Sequence, residues 1–461
     1  MLPDSSNAHI PDYTIGSTQA RVIVIGAGFA GLSAARLLKT KGYDVIVLEA
    51  SDHLGGRVKT KYQLGTAIDL GASWLHGGSG NPLKSVTQDK QIQTQVTDYR
   101  NIAAFDFDQH KSVAIEPTTL ERELKHFESA LQSVSLLPYL RTLLGRHLGL
   151  GGSKITVAEI LDAAFNRSTQ PGSHFSRLMR MMVENFFASP AEELGLANLI
   201  PKSATQTQEE LLPNSDRFVV SGMGTIIDYL ARGLTIQLSE VVNQIIYDHQ
   251  GVCIHTQQQI YQADAVVVTV SIGVLRSGQI LFNPQLPATH RRALTRIDMG
   301  LLNKVILRFP DVFWPKEVEL LAMLGNSLCP FYVNHVPYSG RPILVGMAGG
   351  HASQEIEVRT NSEIVKRLCA ELTAVLGNKV PEPTDVYITR WGHEPFILGS
   401  YARLLVGATG LEPKQLSQPI AGRVYFAGEA LHPTDPGTVH GAFWSGEQAA
   451  RALERQFNHL N

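Results

Sequence analysis

Arg21-Val22-Ile23-Val24-Ile25-Gly26-Ala27-Gly28-Phe29-Ala30-Gly31 is the stretch that decides the fold. The β-branched run predicts a strand and the glycines a turn. Leu32, Ala35 and Leu38, with Ala34 and Leu37 beside them, predict a helix. A second apolar run, Val45 to Leu48, closes on Glu49, 23 residues after Gly26. Each part has a task in a dinucleotide site. Gly26 permits the tight turn, Gly28 lets backbone approach a pyrophosphate, and Gly31 lets the helix lie close to the strand. The free N–H groups at the helix start favour phosphate, and Glu49 can accept hydrogen bonds from ribose hydroxyls. The competing reading is a glycine turn in an ordinary βαβ unit; strand, helix, second strand and acid in register argue against it.

The residues behind Glu49 narrow the cofactor. Leu54-Gly55-Gly56-Arg57 follows, then Asp69-Leu70-Gly71-Ala72-Ser73-Trp74-Leu75-His76-Gly77. An NAD site needs no second glycine pair and arginine directly behind its ribose acid, whereas a flavin dinucleotide is longer and more deeply enclosed. Arg57 suits a phosphate or ribityl clamp because its fork presents several donors at once. With these motifs the chain resembles the flavin-containing amine oxidase family, which includes monoamine oxidases, polyamine oxidases and lysine-specific histone demethylases. The resemblance covers nearly everything from Arg21 onward and is strongest over 21–60, 69–77, 264–275, 299–309 and 387–447.

The whole chain is compatible with that class. Its 461 residues allow two large domains and a well-buried cofactor. Lys+Arg 40 against Asp+Glu 42 leaves no basic field of the kind nucleic acid or an anionic membrane attracts. Cys253, Cys329 and Cys369 are widely separated, offering neither a disulfide framework nor metal-ligand spacing. Residues 1–20 are polar, without the apolar core of a signal peptide, and no later run is long enough to span a bilayer. A loosely held tail over 1–20 and a cytoplasmic location are expected.

Beyond Gly77 the pattern alternates like strands over about 92–116 and turns helical from Pro117 to Leu148, closing on the glycine linker 149–152. Thr156 and Glu159 predict a capping box for a helix through Phe165, and another helix is expected from Ser173 to about Ala188. There Met179, Met181, Met182, Phe186 and Phe187 suit either core packing or a substrate funnel. Ser189-Pro190-Ala191-Glu192 predicts a further helix start. The nucleotide fold is expected to resume near Leu212, with strand, glycine turn and helix over 218–231. Strands are expected at 238–247 and 251–256, and a strand buried on both faces at 263–270. The run 300–309 alternates, placing Lys304, Ile306 and Arg308 opposite Val305, Leu307 and Phe309. An amphipathic helix is expected over 361–377, and a last strand, loop and helix over 423–453.

The fold expected is α/β: a Rossmann-like FAD-binding domain assembled from the discontinuous segments 21–83, 212–298 and 420–461. An α+β substrate domain with a helical insertion is expected from 84–211 and 299–419.

The resemblance also implies a site. FAD, held non-covalently, would be bound by Gly26, Gly28, Ala30, Gly31, Glu49, Arg57, Ser73, Trp74, Val242 (through its backbone, to the adenine), Trp391, Glu429, Thr438 and Val439. Lys304 falls where the family holds a lysine through a water to the reactive flavin nitrogen; from pattern alone it would be a solvated lysine on a strand edge. Tyr401 falls at one wall of the family's aromatic cage. Monoamine oxidases carry a flavin-bonding cysteine where this chain has Ser400, and a second tyrosine where it has Thr438, so a thioether is excluded and a two-tyrosine cage is not expected. His76 stands where plant-type polyamine oxidases have glutamate and animal ones histidine; its bland alternative is a histidine satisfying loop backbone. The expected activity is oxidation of a small polyamine or secondary amine with O2 as acceptor, Lys304, Tyr401 and His76 being the catalytic set and no metal required. A monoamine or L-amino-acid oxidase and a flavin-binding scaffold without turnover are the alternatives, and neither the amine nor the oligomeric state is legible.

Overall fold

A computed structural model describes residues 19–77, 80–108, 111–114, 118, 122, 152–168, 174–199, 216–377 and 379–458. The tail through residue 18 and, apart from 118 and 122, the expected helix over 117–148 lie outside them. Among the described residues no helix is long and apolar enough to cross a membrane.

The opening stretch forms strand Arg21–Ile25, helix Phe29–Thr40 and strand Asp44–Leu48. These strands belong to a five-stranded sheet in the order Thr235–Gln237, Asp44–Leu48, Arg21–Ile25, Ala265–Val268, Val424–Phe426, in which every pairing is parallel. Its strands come from four separated parts of the chain. Val22, Val24, Val266 and Val267 are fully buried because helices or a second sheet cover both faces. Helix Val439–Asn458 lies against helix Phe29–Thr40, and two glycines allow the close packing, Gly31 of that helix on its own strand turn and Gly446 of one helix on the other. A Cβ on Gly31 would fall 1.8 Å from the Gly26 carbonyl oxygen, and one on Gly446 would fall 2.1 Å from that of Ala30. Ser33 Oγ fastens the contact by donating to Phe443 O at 2.7 Å.

A seven-stranded sheet forms the second layer, ordered Asp385–Ile388, Leu302–Arg308, Ile343–Gly349, Phe331–Asn334, Leu320–Gly325, Ile102–Asp108, Lys111–Ala114. The alternation read in 300–309 is kept: Val305, Leu307 and Phe309 enter one core with Leu368 and Leu372, and Ile306 enters another with Leu64 and Ile343. Helix Asn361–Leu376 has the expected inward face, a capping box between Thr360 and Glu363, and Gly377 at φ 70 as its stop.

Three local expectations need correction. No helix follows Ser189-Pro190-Ala191-Glu192: Ala191 O and Leu194 O instead accept from Ala158 N and Val157 N, and Leu194 and Gly195 bridge to Leu405 and Thr156. Those carbonyls close the start of helix Val157–Ser168, whose Thr156–Glu159 capping box is present. The strand expected from Leu238 begins at Val242, while the edge of the parallel sheet is made by Thr235–Gln237. Strand Arg217–Val219 joins Trp74-Leu75 and Thr94–Val96 in a separate three-stranded sheet. Helix His174–Phe187 is divided, Met179 being buried while Phe186 is 75% exposed.

Gly446→Ala should destabilise the protein by about 1–3 kcal/mol, because the added methyl meets backbone. A lower thermal midpoint than wild type, with the exposed Gln448→Ala unchanged, is the expected result; matching midpoints for Gly446→Ala and wild type would show that the helix contact tolerates a Cβ.

Candidate active site

At the first turn, Gly28 is extended and precedes a helix start that no side chain caps. The open N–H groups of that first turn, Ala30 and Gly31 among them, lie where an anion is favoured. Glu49 is buried at the end of strand Asp44–Leu48; its carboxylate accepts from Ala27 N at 2.7 Å and from Ser51 N and Oγ at 2.9 and 2.7 Å. Val242 opens a strand at a register shift against Thr256, where the regular ladder is interrupted.

Arg57 and Glu429 meet although 372 residues separate them, Nη1 lying 2.5 Å from Oε1. Arg57 also donates to Ser400 O at 3.0 Å, and Glu429 accepts from Gly437 N at 2.8 Å and Ala402 N at 3.1 Å. The pair thus joins the first block to the last, and these bonds use part of the capacity that each residue could offer to a ligand. A small cleft lies beside them, lined also by Val270, Ser271, Phe426 and Gly428. Just beyond, Thr438 Oγ1 accepts from Gly441 N at 2.9 Å and so caps the helix that Val439 opens.

Lys304 is 3% exposed, which excludes the solvated strand-edge lysine. Its three N–H donors go to Asp69 O at 2.9 Å, Gly71 O at 2.6 Å and Ser73 Oγ at 2.7 Å, and Nζ lies 5.9 Å from the Trp74 ring centroid. Burial pulls the ammonium down to about 8, with Asp69 acting against the shift. Asp69 is pushed up to about 6 by burial, opposed by the Thr60 hydroxyl at 2.5 Å, the Lys304 charge and Met223 N. Nothing in the sequence marks Asp69, because a lone acid at a short strand end carries no signal until the lysine is folded over it.

Tyr401 lies beside Gly437 and donates its hydroxyl to Asn185 O at 2.7 Å, so helix His174–Phe187 reaches this side of the site through backbone. Ser400 is tied into the Lys304 strand, its Oγ accepting from Leu302 N at 2.7 Å and donating to Leu302 O at 2.9 Å. Trp391 is buried, held by Asn303 Oδ1 through its backbone N, and its ring faces Gly71. His76 departs from its bland alternative: the ring is exposed, with Nδ1 2.6 Å from Asp216 Oδ2. Pairing of Trp74-Leu75 with Arg217–Val219 brings Asp216 opposite His76 across 140 residues of chain, so sequence order gives no hint of the contact.

The residues fit a flavin dinucleotide: an uncapped helix start and a carboxylate suit one end, an arginine and a capped helix start the other. The family model for flavin containing amine oxidoreductase matches residues 29–453. Polyamine oxidase 2 of Arabidopsis thaliana is 33% identical over 457 residues, spanning 94% of this chain and 89% of that protein. Lysine-specific histone demethylase 1 homolog 2 of the same plant is 32% identical, spanning 96% of this chain but 59% of that protein. Among solved structures, cyclohexylamine oxidase from Brevibacterium oxydans IH-35A has the same fold, with a TM-score of 0.78 at 21% identity over 95% of this chain and 100% of that one. The chain belongs to the flavin-containing amine oxidoreductases and is an FAD-dependent amine oxidase.

Proposed function

We propose that the substrate is a polyamine or related secondary amine, and that 21–83, 212–298 and 420–461 hold the cofactor while 84–211 and 299–419 shape the substrate side. The observation that carries the substrate reading is the place of His76, exposed two residues beyond the Trp74 ring that the Lys304 ammonium approaches. A histidine there orients an amine by a hydrogen bond without demanding full positive charge. The name of the 33%-identical Arabidopsis polyamine oxidase supports the same class.

An amine with a C–H next to nitrogen gives up hydride to bound FAD, the iminium hydrolyses to an aldehyde and a smaller amine or ammonia, and O2 accepts the electrons as H2O2. The chain's own groups act around that chemistry. Tyr401 and Thr438 confine the amine and set its approach. The apolar surroundings favour the neutral amine by penalising its charged form. Lys304 supplies a buried cation where oxygen must take on negative charge. Its three protons are already engaged, so any contact with oxygen or water requires sharing one of them; Ser73 Oγ is the one side-chain acceptor of the three.

A peroxide-coupled screen of diamines, polyamines, acetylated polyamines, monoamines and amino acids tests the substrate class. Highest kcat/KM on a polyamine or other secondary amine is expected; preference for an amino acid would overturn the reading. Lys304→Met should slow the oxygen half-reaction severalfold or more in stopped flow. Because Lys304 is charged below about 8 and neutral above it, the wild-type oxygen rate should fall as pH rises through that value, and the variant should lack this step. Equal oxygen rates in the two proteins would remove the assignment. Amine oxidation should instead rise with pH as the bound amine loses its proton; a flat profile from about pH 6 to 10 would count against reaction of the neutral amine.

A further inference from the structure

The His76 ring is not held alone. Asp216 Oδ2 takes both the His76 Nδ1 contact at 2.6 Å and the Tyr99 hydroxyl at 2.8 Å, while Oδ1 takes Gly77 N at 3.1 Å. The carboxylate is 16% exposed and the imidazole 48%, so the acid forms the inner side of the pair and the ring the outer. Burial alone would raise the Asp216 carboxyl, but the bond from His76 and the charge that ring carries when protonated, with the bonds from Tyr99 and Gly77, outweigh it and bring the group to about 2. An ionised carboxylate only accepts hydrogen bonds, so the nitrogen facing it must carry the proton. In the neutral ring Nε2 then holds the lone pair, and no described residue hydrogen-bonds to it. Acid and neutral ring together carry one negative charge, offset in part by Lys84 and Arg217 nearby.

We propose that Asp216, braced by Tyr99 and Gly77, is a positioning residue that fixes His76 with Nδ1 protonated and presents the Nε2 lone pair to an N–H of the amine substrate. The inference rests on the reading of His76 as an amine contact. It adds a reason for selectivity: an acceptor nitrogen backed by a buried anion accepts from an ammonium or a secondary amine N–H. It offers nothing to an ether or hydrocarbon of the same shape. Strand geometry puts the spacing in range, since three residues of extended chain from Ser73, where Lys304 is anchored, cover roughly 10 Å. A polyamine whose nitrogens lie about that far apart can meet His76 with one nitrogen while another lies near Lys304.

The test combines 15N imidazole shifts of histidine-labelled protein with steady-state kinetics on an amine that the enzyme turns over. The His76 signal is assigned by its loss in His76→Gln, and spectra are taken at alkaline pH, where imidazole is neutral. Wild type should show the Nδ1-protonated pattern; the opposite tautomer overturns the proposal without recourse to any variant. Asp216→Asn should lose that pattern and raise KM roughly tenfold or more, with kcat changed far less. Asp216→Glu should recover part of the loss, and Tyr99→Phe, which leaves the carboxylate charged, should raise KM by a smaller factor. Adding Asp216→Asn to His76→Gln should do no further harm. If His76→Gln raises KM while Asp216→Asn leaves both KM and tautomer as in wild type, the role of Asp216 is refuted and the amine contact stands. If His76→Gln leaves KM unchanged, the amine contact itself is wrong.

Discussion

The close approach of the first and last helices is the constraint on which the rest of this structure depends. Without a Cβ at Gly31 the helix Phe29–Thr40 can sit on its own strand turn, and without one at Gly446 the final helix can sit on it in turn. Two segments at opposite ends of the chain then share one wall, and the Arg57–Glu429 pair closes the distance between them. The uncapped start of one helix and the Thr438-capped start of the other are thereby fixed relative to one another. A dinucleotide needs both ends held at once, and neither segment could do that alone.

The second sheet adds the chemistry. Its strand Leu302–Arg308 carries Lys304 into a place where burial penalises the charge and three oxygens of residues 69–73 offset that penalty. Asp69 beneath it is held on the other side by Thr60 and Met223 N, so the lysine, the acid and the helix start at Gly224 form one buried network. Lys304, bonded to Ser73, and His76 therefore mark the two ends of a short run, Ser73 to His76, that is buried at Ser73 and exposed at His76. Under the proposed function, that arrangement would offer a buried cation to oxygen and a solvent-facing acceptor to substrate.

What was legible in the sequence was local. The strand–turn–helix over 21–40, the capping boxes at Thr156 and Thr360 and the two faces of 302–308 are written in short spacings, because hydrogen bonds three or four residues apart or alternate burial create them. The segment from Ser189 had every local mark of a helix start, yet its carbonyls were drawn to the start of another helix. Propensity lost there to long-range hydrogen bonding. Asp216 and Asp69 were missed for a related reason. Their meaning comes from His76, 140 residues away, and from Lys304, whose Nζ is bonded to the Asp69 carbonyl, 235 residues away. Family resemblance put Lys304 and Tyr401 in the site; only the folded chain supplies their partners, Ser73 and the Asn185 carbonyl.

The central claim is that the two ends of the chain grip one FAD molecule without a covalent bond. The most direct measurement is the visible absorption spectrum of the purified protein, before and after incubation with FAD and then after acid precipitation. The account predicts a yellow protein with about one flavin per chain, all of it released into the acid supernatant. A protein that stays colourless after incubation with FAD, or a flavin that remains with the precipitate, would contradict it.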